Sequence, residues 1–333
     1  MVSNGLKKVL VTGASGMIGR QVVAALQSTS FGIVRAQVRD RLQARDKCGD
    51  VFDFALAEIQ SADFSRMLEQ DHRELSKGCS VVIHCASLLH QPNLPYQEYE
   101  VVNVRATQAL AEACAANRVH TLVFLSSTAV YGPGPFSNVP ETATPKAKTP
   151  YAVSKAASET FLKTLQGIPR IIVLRAPLVY GEGDSNGLIH MIQDIKSQKY
   201  KHIGDASTGK SLIYTKDVAR AVLLCLQKVP EGYHVFNVAN PDPVSVHDLA
   251  EEIARCLQMD KKIPSMPAAL YKFGVKAASM FGKNTDNESV EKLTTETTCS
   301  VAKLVQMTGF KPRSTLSNGL KAEITWAEAN NLL

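Results

Sequence analysis

The chain has 333 residues, 45% of them hydrophobic and 20% charged, and a formal net charge of +6. That length suits two domains or one large domain with an insert, and the composition is that of a globular protein. Lys and Arg are scattered without a run of five, and no apolar stretch approaches the ~18 residues of a membrane span, so neither a nucleic-acid partner nor a membrane span is expected.

The N-terminal "MVSNGLKKVLVTGASG" enters a strand pattern at once, with no apolar signal region ahead of a cleavage site. "KKVLVTGASGMIGRQVVAAL" reads as a buried strand, a glycine turn and a helix: Val9, Leu10 and Val11 form the apolar run, and Ile18, Val22, Val23 and Leu26 recur at helical spacing. "IVRAQVRD" is a second strand and "ALAEIQSAD", ending near Asp63, a poorer third. "SVVIHCAS" is a fourth, apolar as a strand covered on both faces should be. A long helix is expected over residues 99–118, then a fifth strand in "HTLVFLSSTAVYG", a helix beginning near Tyr151, and a sixth strand in "RIIVLRAPLVYG". "SLIYTKDVARAVLLCLQ" returns to a helix and "YHVFNVAN" to a strand; from about residue 240 the chain reads as mostly helical. The amphipathic segment 267–283 reads as a lid helix, with contact to a membrane surface as the alternative. Strands alternating with helices in this way imply an α/β fold, a doubly wound parallel sheet of the Rossmann type, with a smaller, mostly helical C-terminal region over the carboxyl ends of the strands.

The seven cysteines (48, 79, 85, 114, 225, 256 and 299) contain no Cys-x-x-Cys pair, so no zinc framework is expected. An odd count without a signal segment points to reduced thiols and a cytoplasmic setting. His84 and Cys85 end a buried strand with no further ligands at metal spacing, and no metal is assigned to them.

Gly13, Gly16 and Gly19 lie between the first strand and its helix in "TGASGMIG". Glycines there let the backbone turn sharply and let a pyrophosphate approach the helix N-terminus, where free N–H groups and the helix dipole favour an anion. The Gly-x-x-Gly-x-x-Gly spacing, preceded by Thr12, resembles the short-chain dehydrogenase/reductase superfamily. "VVIHCAS", the Asn103 helix "VNVRATQALAEAC", "LVFLSSTAVYG", "YAVSK" and "LRAPLVYGEG" extend the likeness to the superfamily's extended branch, the NAD-dependent epimerase/dehydratase family, over roughly residues 7–260. Arg105–Ala106 departs from the family's glycine in the Asn103 helix. The resemblance implies an oxidoreductase whose dinucleotide-binding domain spans residues 1–179 and 211–239, with a substrate region at 180–210 and 240–333. It also implies a homodimer acting on a small molecule.

Tyr151 and Lys155, four residues apart, share one helix face, and an adjacent ammonium would lower the tyrosine toward a working pH. The resemblance makes Tyr151 the proton donor or acceptor, Lys155 a ligand of the nicotinamide ribose, and Ser127 the hydrogen-bond partner of the reacting oxygen, with Ser126 and Thr128 as neighbouring candidates. Cofactor contacts are expected from Gly13, Ser15, Gly16, Met17, Ile18, Arg39, Asp63, Phe64, Cys85, Ala86, Ser87, Asn103, Tyr151, Lys155, Pro177, Leu178 and Val179. Arg39 stands where an NAD enzyme usually places an acid, and an arginine suits a 2′-phosphate. NADP(H) is therefore favoured, with NAD(H) left open by Asp40. Lys210 and Leu89 are the candidate substrate contacts.

Sugar-nucleotide epimerases of the family often carry Tyr-Phe-Asn after the sixth-strand arginine; here Arg175 is followed by Ala176, Pro177 and Leu178. That form looks more like 4-ketosugar reductases, hydroxysteroid-type dehydrogenases and flavonol-type reductases. A nucleotide-linked ketosugar is the favoured substrate. A nucleotide-sugar 4-epimerase, a 3β-hydroxysteroid-type dehydrogenase and a non-catalytic NADP-sensing regulator stay open.

Overall fold

A computed structural model describes residues 7–29, 31–49, 51–185, 187–267, 269, 271 and 294–333. Numbered over these residues, the first half of the chain runs β1 (Lys8–Thr12), α1 (Met17–Ser28), β2 (Ile33–Val38), α2 (Arg41–Cys48), β3 (Ala57–Ser61), α3 (Glu69–Ser76), β4 (Val81–His84), α4 (Tyr96–Tyr99), α5 (Ala106–Ala116), β5 (Thr121–Ser127), β6 (Phe136–Val139) and α6 (Pro150–Thr164). The second half runs β7 (Arg170–Ala176), β8 (Leu178–Tyr180), α7 (Leu188–Lys196), β9 (His202–Ile203), β10 (Gly209–Lys210), β11 (Leu212–Tyr214), α8 (Thr215–Lys228), β12 (Gly232–Asn237), β13 (Val244–Ser245), α9 (Val246–Cys256), β14 (Ser265–Met266), β15 (Thr297–Cys299), α10 (Ala302–Thr308) and α11 (Leu316–Ala329).

Seven strands form one parallel sheet in the order β12-β7-β5-β4-β1-β2-β3. The order reverses between β1 and β4, which opens the switch-point crevice of a doubly wound fold at the strands' carboxyl ends. Strand alternation divides the core. Val9 and Val11 of β1, Val123 and Leu125 of β5, and Ile172 and Leu174 of β7 face the helix layer that contains Val22 of α1 and Val222 of α8. Leu10, Leu122, Phe124, Ile171 and Val173 face the opposite layer, with Leu75 of α3, Leu110 of α5 and Leu162 of α6. A third cluster joins Tyr180, Leu188 and Ile192 to Leu249, Ile253, Leu320 and Ile324 of α9 and α11. All seven cysteines are free thiols.

The expected sheet and its helices are present, and the departures have local causes. The helix expected at 99–118 is composite: α4, a π-helical turn at Glu100–Arg105, then α5. The widened turn holds Asn103, whose main-chain oxygen accepts from Ser158 Oγ at 2.7 Å. The fifth strand stops at Ser127 because that hydroxyl accepts the Ala129 N–H at 3.2 Å and starts a 3₁₀ turn over Thr128–Tyr131. The sixth is cut by Pro177, which has no N–H for a ladder; beyond it, β8 leaves the sheet to pair with β11. Residues 212–214, expected as helix, are β11 for the same reason, and α8 starts at Thr215. Beyond residue 240 helices α9, α10 and α11 are joined by short strands, β13 and β15 lying in a four-stranded sheet with β10 and β6. Most of the 267–283 segment lies outside the described residues. Among the described residues no helix is long and apolar enough to cross a membrane.

Candidate active site

The glycine turn is built on steric necessity. Gly13 has φ +61°, and a Cβ there would stand 2.8 Å from the main chain of Ala86. A Cβ on Gly19 would stand 2.1 Å from the Gly13 oxygen, so the helix can pack against the turn only without a side chain. Gly16 caps α1 with no side-chain hydrogen bond and no acid in the first turn, which leaves the helix N-terminus free to meet an anion. Gln37, a polar residue inside an apolar strand, fixes the turn: its Oε1 accepts from Gly13 N at 2.8 Å and its Nε2 donates to Ala62 O at 2.6 Å. Ser15 lies in the turn, Met17 and Ile18 begin α1, and the Met17 carbonyl accepts from Thr215 Oγ1 at 3.0 Å. These are the features a bound pyrophosphate needs, so the residues present fit a dinucleotide.

At the neighbouring strand end, His84 is wired between Thr12 Oγ1 (2.7 Å from Nδ1) and Thr107 Oγ1 (2.9 Å from Nε2). Burial pushes its imidazole down to about 3, so it is neutral, and both nitrogens are occupied. Cys85 follows; burial pushes its thiol up to about 12. Asn103 ties the next loop to the helices: its Oδ1 accepts from Leu88 N at 2.7 Å and Ser87 Oγ at 3.2 Å, and its Nδ2 donates to Ser154 Oγ at 3.0 Å.

Thr149 caps α6 by accepting the Ala152 N–H at 3.2 Å, and Pro150 opens its first turn. Tyr151 and Lys155 thus start one face of α6, beside the end of β5. The Ser127 side chain lies near enough to the Tyr151 hydroxyl to favour its ionised form, while its own Oγ accepts from Ala129 N. Lys155 is buried, with Nζ 2.8 Å from the Leu125 carbonyl and 4.8 Å from the Phe124 ring centre. Its distance from the Tyr151 ring centre is 6.0 Å. The expected lowering of Tyr151 by Lys155 is corrected by this geometry. Burial pushes the phenol up to about 12, with the Ser127 side chain opposing it, and burial pushes Lys155 down to about 8. Burial thus favours the protonated phenol.

Of the remaining sequence candidates, Asp63 is held by its own turn, accepting from Ser65 N at 3.0 Å and Ser65 Oγ at 2.7 Å, bonds that keep its carboxyl below the usual range. Phe64 belongs to the core, its ring 5.5 Å from those of both His72 and His84, so only its main chain is available to a ligand. Arg39 is exposed at the end of β2, and Asp40 caps α2. Pro177, Leu178 and Val179 line the chain as it leaves the sheet. Ser126 points away from Ser127, donating to the buried Glu159. Lys210 is partly buried and donates to the Thr295 carbonyl, so it is a structural cation rather than a solvated one.

Two contributors were missed in the sequence. Tyr99, 1% exposed, packs edge-on to Tyr151 at 6.2 Å and accepts from Gln91 N at 2.8 Å, which fixes the loop carrying the exposed Leu89. Glu159 and Arg175 form a buried ion pair, 2.6 Å at its shortest, under the same helix. A carboxylate on the buried face of a helix eight residues after Tyr151 was the available signal for the second.

The profile of the NAD dependent epimerase/dehydratase family matches residues 9–239. The chain belongs to this family. Among its relatives, the UDP-glucose 4-epimerase of Vibrio cholerae is 26% identical over 336 residues, 98% of this chain and 97% of that one. The decarboxylating sterol-4-alpha-carboxylate 3-dehydrogenase of Dictyostelium discoideum is 27% identical over 252 residues, 72% and 73% of the two chains. The UDP-glucuronic acid 4-epimerase of Bacillus cereus, solved in complex with NAD, has the same fold: TM-score 0.78 at 21% identity, over 97% of this chain and 99% of that one. Membership of the epimerase/dehydratase family makes the protein an NAD(P)-dependent enzyme of the oxidoreductase type.

Proposed function

We propose that the protein reduces the carbonyl of a nucleotide-linked ketosugar, or runs the reverse alcohol oxidation, with Ser127, Tyr151 and Lys155 as the catalytic set. The observation that carries this is the buried Lys155 on α6, one helical turn after Tyr151, with Nζ 2.8 Å from the Leu125 carbonyl on β5, the strand that ends at Ser127. A protonated phenol is the form that gives a proton to an alkoxide as it develops, and Ser127 is the donor that would orient the carbonyl oxygen. Lys155 would hold the coenzyme ribose from the side facing Leu125. When bound, the reduced nicotinamide supplies the hydride; the glycine turn and the uncapped end of α1 would hold the pyrophosphate. Residues 180–210 and 240–333 would supply the substrate side.

Two features support a net reduction with NADP(H). Arg39 is an exposed cation at the end of β2, suited to a 2′-phosphate. Leu178 takes the place of the asparagine that the resemblance assigns to the diphosphate in sugar-nucleotide epimerases. Lys210 donates to the Thr295 carbonyl, a bond that takes one N–H of its ammonium, and it stays the candidate ligand of a substrate diphosphate. The Vibrio cholerae relative favours a second reading, a 4-epimerase of nucleotide sugars. The two are separated by incubating the protein with UDP- and dTDP-linked sugars and ketosugars in the presence of NADPH or NADH. Coenzyme consumed in step with reduced sugar supports the reductase. Inverted sugar with no net coenzyme change makes it an epimerase, and no reaction with any nucleotide sugar rejects both.

A further inference from the structure

We propose that His202, His247 and Glu251 form a binding site for a divalent transition-metal ion of the zinc class, in a groove of about 660 Å³ away from the glycine turn and Tyr151. One ligand atom from each residue lies within 4.8 Å of the other two. His247 and Glu251 are one turn apart on α9, on the same face, which is the spacing that lets two side chains of one helix share an ion. His202 comes from β9, across the groove.

The details fit ligation. His202 is 2% exposed, and its ring is held edge-on by Tyr200 at 5.7 Å. Its polar contacts are thin: Nε2 lies 3.3 Å from Glu251 Oε1, and Nδ1 is buried with no hydrogen-bond partner among the described residues. A buried imidazole so poorly satisfied is unusual. His247 stacks on it, ring centres 4.7 Å apart, and its Nδ1 lies 3.2 Å from Asp248 Oδ1. A carboxylate accepting from Nδ1–H would leave the Nε2 lone pair for an ion, as the outer partners of metal-bound histidines do. Arg255 is paired with Glu252, which removes one of the two cations lining the groove and leaves Lys262.

Two imidazoles and one carboxylate, with a water as the fourth ligand, is a donor set zinc accepts, at about 2.0–2.2 Å per ligand. Closing from 4.8 Å to the roughly 3.4 Å between neighbouring ligands of a tetrahedral ion needs movement of the two outer side chains. His247 is 49% exposed and Glu251 37% exposed, so both are free to turn. The bound ion would pin β9, and β14 paired with it, to α9. Its effect is on the stability of this region and not on the chemistry at Tyr151.

The test uses the full chain, dialysed against a chelator, with Zn²⁺ and Co²⁺ added alone. One equivalent of Zn²⁺ should bind by calorimetry and raise the melting temperature, Co²⁺ should give the visible absorption of a tetrahedral site, and Mg²⁺ should do neither. His247→Ala and Glu251→Gln, both at partly exposed positions, should each weaken Zn²⁺ binding at least about tenfold, on the scale at which even outer partners act. Both should abolish the stabilisation while leaving the unliganded melting temperature near that of the wild type. Binding that survives His247→Ala, or that is lost in Cys256→Ser instead, overturns the site, as does the absence of a one-to-one complex in the wild type.

Discussion

Replacing Glu159 with Gln should destabilise the protein by about 3–5 kcal/mol, the loss expected when one partner of a buried ion pair is removed. The carboxylate and the Arg175 guanidinium are each 6% exposed at the side chain, and Arg175 reaches it three times: Nε at 3.1 Å from both oxygens and Nη2 at 2.6 Å from Oε2. Arg175 cannot swing to solvent, because Nη1 also donates to Tyr131 Oη at 2.9 Å and to the Glu141 carbonyl at 3.2 Å. A glutamine keeps one acceptor but turns an N–H₂ toward guanidinium donors, so the arginine charge stays buried and unmatched. With a urea slope of about 3 kcal/mol/M, the midpoint should fall by roughly 1–2 M. Glu159 also opposes the burial that lowers Lys155 to about 8, so in the variant Lys155 should lose its proton at a lower pH than in the wild type. Urea unfolding followed by circular dichroism gives the first number, and coenzyme affinity against pH gives the second. A loss below about 1 kcal/mol would refute the reasoning, since it would place the pair in the near-neutral class of exposed salt bridges.

Arg39→Ala should weaken NADPH binding by about 1.5–3 kcal/mol, the worth of hydrogen bonds to a charged group, and leave NADH nearly unchanged in fluorescence titrations; equal affinity of the wild type for both coenzymes would remove the NADP(H) assignment. Gly19→Ala should lower stability by about 1–3 kcal/mol or more and abolish coenzyme binding, because the new methyl meets the Gly13 main chain and not a flexible side chain; a thermal melt and a coenzyme titration check both. Burial and the neighbouring Asp184 push Glu323 up from 4.5 to about 9, so the folded state keeps a proton that the unfolded chain releases, and stability falls as pH rises across that interval. Glu323→Gln should lose that part of the pH slope, gaining on the wild type in urea unfolding as pH is raised from near 4.5 toward 9.

The sheet was legible because its signals are local: β1, β4, β5 and β7 carry apolar runs, and three glycines at that spacing mark the turn between β1 and α1. The helix periodicity at 99–118 gave no sign of the π turn, because that turn is held from outside by Ser158. Strand β8 was joined to β7 because an apolar run does not reveal which neighbour it pairs with; only Pro177 marked the break. At the candidate site the residue types Ser127, Tyr151 and Lys155 were readable, but their ionisation was not. The sequence placed an ammonium four residues from a phenol, whereas folding turned that ammonium to the Leu125 carbonyl and buried both groups. Tyr99 and Gln37 were invisible for a related reason: Tyr99 packs against Tyr151 and Gln37 bonds Gly13 N and Ala62 O, contacts that exist only once separate segments meet.

The most direct test of Tyr151 as proton donor is to compare wild type and Tyr151→Phe in coenzyme oxidation with a UDP-linked 4-ketosugar, alongside a coenzyme titration of each. The account predicts coenzyme consumed in step with sugar reduced by the wild type. In the variant, turnover should drop by about 10² or more, the scale of a lost general acid, with coenzyme affinity unchanged. A Tyr151→Phe enzyme that turns over at nearly the wild-type rate would contradict it.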